Sequence, residues 1–301
     1  NKLGTNIIER VELNIMNVTK CMIAGLPDSG KSTYIGALWY SLRHPAKDEE
    51  IKLVEDKMNL PNDISVLNRL RDSYREMSPI DRTNSNQNES VLINLKAVES
   101  GEKMQIEIPD FLGETFRDIV VLEESSLLTG WLKDADTLLY LISDVSIVEF
   151  ADDHKAEEED KKLPEIDIEP FKSSDISAAA MNIMVLKYLL KKKKFKKVVI
   201  ALSWWDMKTK NGAEVCNPEV YLKEQSPALY NFIRFHIPNY EVIGLSAQGL
   251  EYPPKNQVDY EKTKKEVKAI TREGKRSFVE IGDEISHDLS LPLYLLLKND
   301  N

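Results

Sequence analysis

The sequence predicts a three-layer α/β fold in which a mostly parallel sheet, with one antiparallel strand, has helices on both faces. The first observation behind this prediction is that short apolar runs, typical of buried strands, alternate along the chain with segments of helical spacing. The second is one pair of adjacent segments with strictly alternating apolar residues, which indicates a single β-hairpin. The third is size, because 301 residues with 42% hydrophobic side chains can bury a large core.

Strands are predicted where an apolar run is short and ends at a turn residue. The first run ends in a glycine, and the two hairpin strands alternate on either side of Gly101. The later runs are continuously apolar, as strands in the middle of a parallel sheet are. In chain order the predicted strands span residues 18–24, 91–97, 104–108, 138–142, 198–202 and 241–245.

Helices are predicted where apolar residues recur at helical spacing. The first begins at Lys31 and stops before His44-Pro45. An inserted helical segment is expected after it at residues 46–78, and a polar loop at residues 79–88. In chain order the predicted helices span residues 31–42, 46–78, 115–133, 176–190, 221–235 and 292–297.

The chain is predicted to form one domain over residues 1–301, because it has neither an internal repeat nor an obvious linker. Insertions are expected near residues 45–78 and 149–174, and a C-terminal extension from about residue 250. Residues 149–169 hold ten acidic side chains against three lysines, a composition typical of a solvated surface segment.

Composition argues against several classes of protein. The net charge of −10 argues against a nucleic-acid binder, which needs a basic face to displace counterions. No apolar run reaches the roughly 20 residues that a membrane span requires, and no cleavable signal pattern is found. The two cysteines, Cys21 and Cys216, have no metal-ligand neighbours, and Cys21 is expected in the core. These features predict a cytoplasmic protein in a reducing compartment.

The strongest motif is Gly25-Leu-Pro-Asp-Ser-Gly-Lys-Ser32, which lies between a predicted strand and a predicted helix. Its glycines allow the loop to wrap so that backbone N–H groups point at phosphate oxygens. Lys31 is expected to reach the β- and γ-phosphates, and the Ser32 hydroxyl to bind Mg²⁺. The residues predicted to hold the phosphates are Gly25, Asp28, Ser29, Gly30, Lys31, Ser32 and Thr33.

Further residues follow in the order expected for a metal and a γ-phosphate. Asp110 and Gly113 form a D-x-x-G motif at the end of a hairpin strand, where the carboxylate can hold a Mg²⁺-bound water. The Gly113 N–H can turn toward a γ-phosphate. Thr83, in the polar loop, is the only threonine between residues 34 and 114, and its hydroxyl is predicted to cap the metal. The predicted metal-binding residues are therefore Ser32, Thr83 and Asp110.

Two short motifs at the ends of later strands predict recognition of guanine. Asp206 lies just after the strand at residues 198–202, and its carboxylate can accept from the N1–H and 2-amino groups of guanine. Adenine offers neither donor at those positions. Ser246-Ala247 follows the last predicted strand, and a backbone N–H there can donate to the guanine O6.

In this order the five motifs resemble those of the Ras-like GTPases of the translation-factor class, over about residues 18–250. Residues 25–39 and 109–118 are most similar to the bacterial double-GTPase family, and residues 274–293 are similar to it as well. The resemblance implies a P-loop NTPase fold, GTP and GDP as ligands, and Mg²⁺ as cofactor. It also implies a GTPase with slow basal turnover that acts as a molecular switch in bacterial conflict or antiviral defence, with a protein effector or operon partner.

The chain departs from the family's pattern in two places. The base-reading motif Asn-Lys-x-Asp stands here as Ser203-Trp204-Trp205-Asp206, so Trp204 is expected to stack on the base in place of the lysine stem. Glu114 stands where many members have a water-orienting glutamine. Glu114 and Lys31 are therefore the predicted catalytic residues.

Two other functions remain open on the sequence. A P-loop kinase of a small molecule would normally carry an arginine-bearing lid late in the chain, where Arg272 and Arg276 are the only arginines after Arg234. A nucleotide-bound interaction module without turnover is the other alternative. Guanine selectivity separates the GTPase from the kinase, and single-turnover hydrolysis separates it from the module.

Overall fold

The computed structural model describes residues 18–78, 90–109, 126–146, 176–209, 217–250 and 260–298. Within these ranges the chain forms nine strands, all in one sheet, and nine helices. The strands are β1 (Thr19–Gly25), β2 (Leu53–Glu55), β3 (Ser90–Ala97), β4 (Lys103–Pro109), β5 (Thr137–Ile142), β6 (Val198–Ser203), β7 (Tyr240–Ser246), β8 (Phe278–Ile281) and β9 (Glu284–Ser286).

The helices alternate with the strands along most of the chain. They are α1 (Lys31–Ser41), α2 (Ile64–Glu76), α3 (Ser126–Asp134), α4 (Ala178–Lys192), α5 (Trp205–Thr209), α6 (Pro218–Gln225), α7 (Pro227–His236), α8 (Tyr260–Arg272) and α9 (Leu291–Leu297). None of the helices in the described ranges is long and apolar enough to cross a bilayer.

The strands lie in the order β2-β3-β4-β1-β5-β6-β7-β8-β9. The five central strands, from β4 to β7 in that order, are all parallel. On one side β3 forms the predicted antiparallel hairpin with β4, and on the other β8 runs antiparallel to β7. The predicted class, a mostly parallel sheet within an α/β fold, is confirmed, and β8 adds a second reversed strand that the sequence analysis did not anticipate.

Alternate residues of β1 show how the sheet divides the core into two layers. Cys21 and Ile23 face a cluster that includes residues of α1, α2 and α9, whereas Met22 and Ala24 face residues of α4, α6 and α7. Cys21 is 1% exposed, so its predicted place in the core is confirmed. Helices on both faces bury β1 from Cys21 to its carboxyl end. The position of the loop that follows β1 is therefore fixed by the core.

The C-terminal segment is part of the first of these layers. Leu289 accepts a hydrogen bond on its carbonyl from the buried Tyr34 hydroxyl of α1, at 2.9 Å. Asp288 Oδ2 accepts from the backbone N–H of Lys52 at 2.8 Å, next to the edge strand β2. The C-terminal part of the described chain therefore forms hydrogen bonds both with α1 and with the residue that precedes β2.

Two sequence expectations need correction, some elements were not predicted, and one predicted helix lies only partly in the described residues. The segment at residues 46–78, expected to be helical, contains α2 but also the edge strand β2, which pairs antiparallel with β3. The single helix expected at residues 221–235 is two helices, because Pro227 follows Ser226 and begins a new helix. The strands β8 and β9, the helix α8 and the short helix α5 were not predicted. Of the helix expected at residues 115–133, only the part from Ser126 lies in the described residues.

Candidate nucleotide-binding site

Three loops that the sequence linked to nucleotide binding leave the same edge of the sheet. They follow β1, β6 and β7, and each begins at the carboxyl end of a parallel strand, where α/β proteins place their ligands. The first and second loops touch, since a Cβ built on Gly30 would lie 3.7 Å from both Ser203 Cβ and Trp204 Nε1. The structure therefore brings the predicted phosphate-binding and base-reading residues together.

The loop after β1 is shaped by positions that exclude a side chain. A Cβ on Gly25 would lie 2.4 Å from the Leu141 carbonyl oxygen and 2.6 Å from Ser29 Oγ, so β5 and the loop close around this residue. Gly30 has a φ of 86° and begins α1, and no side chain caps the helix at that end. The first N–H groups of α1 are thus left to bind an anion.

The Lys31 ammonium lies inside this loop. Its Nζ donates to the Gly25 carbonyl at 2.8 Å, to the Leu26 carbonyl at 2.7 Å and to Ser29 Oγ at 3.1 Å. Burial of the ammonium among these atoms lowers the pKa of Lys31 from 10.5 to about 8, partly opposed by the nearby Asp28 carboxylate. A phosphate that replaced the carbonyls would add the negative charge that this buried cation needs.

Asp206 and Ser246, predicted separately from two strand ends, form one contact. Ser246 Oγ donates to Asp206 Oδ1 at 2.8 Å, and the two residues are 0% and 6% exposed. Asp206 lies in α5, just after β6, so this bond limits the rotation of its carboxylate from the end of the neighbouring strand β7. Ala247 follows Ser246 and is buried as well. The residues predicted to read the base are therefore adjacent in space.

Trp204 lies beside the phosphate loop and lines a cavity together with residues of that loop. It has a φ of 57°, its side chain is 56% exposed, and its Nε1 faces Gly30. The cavity has a volume of about 440 Å³ and is lined by Leu26, Pro27, Asp28, Ser143, Asp144, Ala178, Asn182 and Trp204. Stacking of this indole on a base stays a prediction.

Lys208 is a site residue that sequence reasoning missed. Its Nζ donates to the Ser143 carbonyl at 2.8 Å and the Ser203 carbonyl at 2.7 Å, and so joins the ends of β5 and β6. Burial lowers its pKa to about 8, opposed by the carboxylates of Asp144 and Asp206. The sequence does show a lysine two residues after Asp206. Its spacing, however, does not indicate which carbonyls the ammonium contacts.

The loop after β7 is held by the residues that lead into β8. Ser277 Oγ donates to the Ala247 carbonyl at 2.5 Å, and Arg276 Nε donates to the Gln248 carbonyl at 2.8 Å. Arg276 is 3% exposed and also donates from Nη1 to the Tyr74 carbonyl of α2 at 2.7 Å. An arginine committed to backbone carbonyls in this way is not available as the mobile lid arginine of a kinase.

Several predicted site residues lie outside the described residues: Thr83, Asp110, Gly113 and Glu114. Of the predicted metal-binding residues only Ser32 is described, and it is exposed in the first turn of α1. In the described part of the chain no three His, Cys, Asp or Glu side chains cluster as metal ligands. The predicted metal site and the predicted water-orienting residue therefore stay predictions.

The comparisons with known proteins identify a family. The model of the family described as Double-GTPase 1 matches residues 22–296. A search of curated proteins found no match. Because the family model covers most of the chain, it decides the assignment.

Solved structures that resemble the chain do so at low identity. It is similar to the G domain of the FeoB iron transporter of T. maritima, with 13% identity, a TM-score of 0.32, and coverage of 84% of this chain and 99% of that one. It is similar to the GTPase-like domain of S. cerevisiae Ski7 bound to GDP and inorganic phosphate, with 15% identity, a TM-score of 0.41, and coverage of 88% and 52%. It is also similar to a chain of the signal recognition particle receptor SRb-GTP/SRX complex of Chaetomium thermophilum, with 13% identity, a TM-score of 0.37, and coverage of 83% and 98%. The chain thus spans about half of the Ski7 chain and nearly all of the other two.

Proposed function

The chain belongs to the Double-GTPase 1 family, a family of GTP-binding domains, and from this premise we propose that it binds GTP with Mg²⁺, hydrolyses it slowly and acts as a molecular switch. The observation that carries the proposal is the meeting of two predicted half-sites. The loop of Lys31, built for phosphate, touches the loop of Asp206, whose carboxylate is oriented by Ser246. A phosphate site joined to a guanine-reading carboxylate is what a GTP-binding site requires.

The phosphate half of the site fits a nucleoside triphosphate. Gly25 leaves no space for a Cβ, because the loop packs closely on β5 at this residue, and the first turn of α1 has no side-chain cap; both features support a phosphate-binding loop. On binding, Lys31 exchanges its contacts with the Gly25 and Leu26 carbonyls for phosphate oxygens. This exchange replaces neutral acceptors by charged ones, which strengthens each hydrogen bond.

The base half fits guanine better than adenine. One oxygen of Asp206 accepts from Ser246, which limits the rotation of the carboxylate, and this carboxylate is proposed to face the base. A carboxylate has no proton to donate, so it suits the N1–H and 2-amino donors of guanine and faces the unprotonated N1 of adenine unfavourably. Trp204, beside Gly30, is proposed to cover the ring where other GTPases use a lysine stem.

The hydrolytic step is assigned to two described residues, Lys31 and Ser32, together with Thr83, Asp110 and Glu114, which lie outside the described ranges. Mg²⁺ held by Ser32, Thr83 and Asp110 would neutralise charge on the β- and γ-phosphates. Glu114 is proposed to accept a hydrogen bond from the attacking water, and Lys31 to stabilise charge on the transferred group. An ionised glutamate beside a triphosphate is a poor orienting group, which is the reason to expect slow basal turnover.

The experiment that tests this function is a nucleotide-protection series on the whole chain. GTP and GDP with Mg²⁺ should raise the unfolding temperature, whereas equal concentrations of ATP, CTP and UTP should not. Single-turnover hydrolysis then separates the GTPase from an interaction module without turnover. Protection by ATP at least as strong as by GTP would favour the kinase alternative and remove the guanine assignment.

The biological setting is a proposal that rests on the family resemblance alone. We place the chain in a bacterial conflict or antiviral defence system, with a protein effector or operon partner that recognises its GTP-bound state. The test is survival of phage challenge by the native host carrying the parent gene or Lys31→Ala. Equal survival, with the variant shown to have lost GTP binding, would contradict a GTP-dependent defence role.

A further inference from the structure

The third residue of the base-reading loop makes a long-range polar contact. Trp205 is 1% exposed, and its indole Nε1 donates to Glu280 Oε2 at 2.7 Å. Glu280 lies 75 residues later in the chain, in β8, and is itself 2% exposed. A buried carboxylate therefore holds the residue that directly precedes Asp206.

The space for the indole is made by a glycine. Gly244 of β7 pairs with Glu280 of β8 in the sheet register, and a Cβ on Gly244 would lie 2.5 Å from the Trp205 ring. The ring thus packs against the backbone of β7 at the residue that pairs with Glu280 of β8. Tyr221 contacts it edge-on, with ring centroids 5.3 Å apart and an angle of 87°. Backbone, a carboxylate and an aromatic edge together leave the indole a single position.

The second oxygen of Glu280 adds nothing to stability. Among the described residues, Oε1 is buried and has no hydrogen-bond partner. A buried acceptor without a partner costs free energy, and an apolar pair of the same size as the indole and the carboxylate would be as stable or more so. The contact is therefore better explained by the orientation of Trp205 than by the stability of the fold.

The rest of the loop shows what this orientation serves. Ser203, the first residue of the motif, has a buried hydroxyl without a hydrogen-bond partner in the described part of the chain, so its side chain does not tie the loop down. Asp206 follows Trp205 directly and takes its bond from Ser246, which pairs with Phe278 of β8. Trp205 and Asp206 are thus both set by the β7–β8 pair.

We propose that Glu280 is a positioning residue for base selection: through Trp205 it holds Asp206 where its carboxylate meets the 2-amino and N1–H groups of guanine. The inference rests on the proposed function, because it concerns how the same site chooses its base. In this proposal a residue of β8, a strand outside the recognised motifs, holds the base-reading loop in place. In the family's motif this role would belong to the asparagine that Ser203 replaces here.

The test compares GTP with ITP, whose base lacks the 2-amino group. The informative variant is the double substitution Trp205→Phe with Glu280→Met, which removes both polar partners and keeps an aromatic ring and an apolar chain in their places. It should still unfold cooperatively, at a temperature lowered by the smaller phenyl ring. The affinity for GTP should fall about fivefold or more, the size of one hydrogen bond, and the affinity for ITP should fall less, because ITP retains only the N1–H donor. Glu280→Gln keeps an acceptor for the indole and should retain the preference for GTP.

The matched control lies on β7, the strand that packs against Trp205 and pairs with β8. Tyr240→Phe removes a hydrogen bond of the same kind, from the Tyr240 hydroxyl to Glu219 Oε1 at 3.0 Å, at the opposite end of the strand. It should leave the ratio of ITP to GTP affinities as in the parent. A folded double variant with the parent ratio would overturn the inference, as would an equal loss for GTP and ITP. A parent that binds GTP and ATP equally would instead overturn the proposed function, so the two failures are distinguishable.

Discussion

The two halves of the nucleotide site are built in different ways. The phosphate half is one continuous segment, Gly25 to Ser32, in which the lysine contacts carbonyls five and six residues away. The base half is assembled from three strand ends, with contacts that span 40 residues between Asp206 and Ser246 and 75 residues between Trp205 and Glu280. A local loop carries its geometry in its own sequence, whereas the base half depends on the register of β6, β7 and β8.

This difference indicates which substitutions each half of the site can tolerate. In the phosphate half the chemistry needs particular residues at particular spacing, because each backbone N–H must point at an oxygen. In the base half the family's Asn-Lys-x-Asp is reduced to its aspartate, and the sheet supplies other supports. Lys208 and Glu280 are such supports, and both contact the loop from positions outside the motif. Substitutions in the two halves should therefore give different signatures across nucleotides.

The largest expected effect is in the phosphate half. Lys31→Ala should abolish triphosphate binding at micromolar concentrations, because the ammonium makes charge-assisted contacts to two phosphates and no neighbour in sequence replaces it. The loss should be equal for GTP and ITP, since the base half is untouched, and smaller for GDP, which lacks the γ-phosphate; titration of the whole chain measures all three. Lys191→Ala, on the exposed end of α4, is the control. A variant that melts normally and binds GTP like the parent would remove the phosphate assignment.

A second change should separate chemistry from binding. Glu114→Ala should slow single-turnover hydrolysis of GTP at least about tenfold, or ~1.4 kcal/mol in the barrier, with little change in affinity. The reason is that the carboxylate is proposed to contact the attacking water and neither the phosphates nor the base. Hydrolysis at the parent rate would leave Glu114 without a catalytic part.

The depressed pKa of Lys31 predicts a pH dependence of the phosphate half. The folded pKa of about 8 lies below the unfolded 10.5, so in the free protein the ammonium loses its proton from pH 8 upward, and triphosphate binding must restore it. Affinity for GTP should therefore fall between pH 8 and 9, by up to about tenfold per pH unit, with proton uptake on binding. Calorimetry in two buffers of different ionisation enthalpy measures the uptake.

Lys208 provides the control for this pH effect, because burial also lowers its pKa to about 8 while its Nζ contacts carbonyls of the base half. Lys208→Met should keep the proton uptake. If the uptake disappears in Lys208→Met, the titrating group is in the base half and the assignment to Lys31 is contradicted.

The smallest expected effect concerns the metal. Thr83→Ala should weaken GTP by about fivefold, the size of one hydrogen-bond-like contact, and GDP less, because the hydroxyl is proposed to meet Mg²⁺ only in the triphosphate state. Titrations of both nucleotides with Mg²⁺ measure this difference. Equal losses for GTP and GDP would place the metal-capping residue elsewhere.

The sequence predicted the fold better at its centre than at its edges. Buried parallel strands such as β5 and β6 are continuous apolar runs, and their positions were found to within one residue. The edge strand β2 has three residues and β8 four, too short for a pattern, and each is a strand only because a neighbour offers hydrogen bonds. At Pro227, turn chemistry that was visible in the sequence was overlooked, and one predicted helix became two.

The site divides in the same way. Motif residues such as Lys31 and Asp206 could be proposed from the sequence because phosphate and guanine demand fixed chemistry at fixed spacing. Glu280, Arg276 and Lys208 could not be assigned, because their partners are set by strand register and by backbone carbonyls that leave no trace in local sequence. The residues proposed to contact the ligand were thus visible in the sequence, and the residues that support them were not.

The most direct test of guanine recognition by the base half is competition binding of GTP, XTP and ATP to the parent and to Asp206→Asn. In the variant an amide donor faces the 2-amino donor of guanine, so GTP should lose roughly 1–3 kcal/mol or more. Xanthine has a carbonyl at that position and accepts from the amide. The account predicts a switch of preference from GTP in the parent to XTP in the variant. A parent that prefers ATP, or a variant that loses every nucleotide equally, would contradict it.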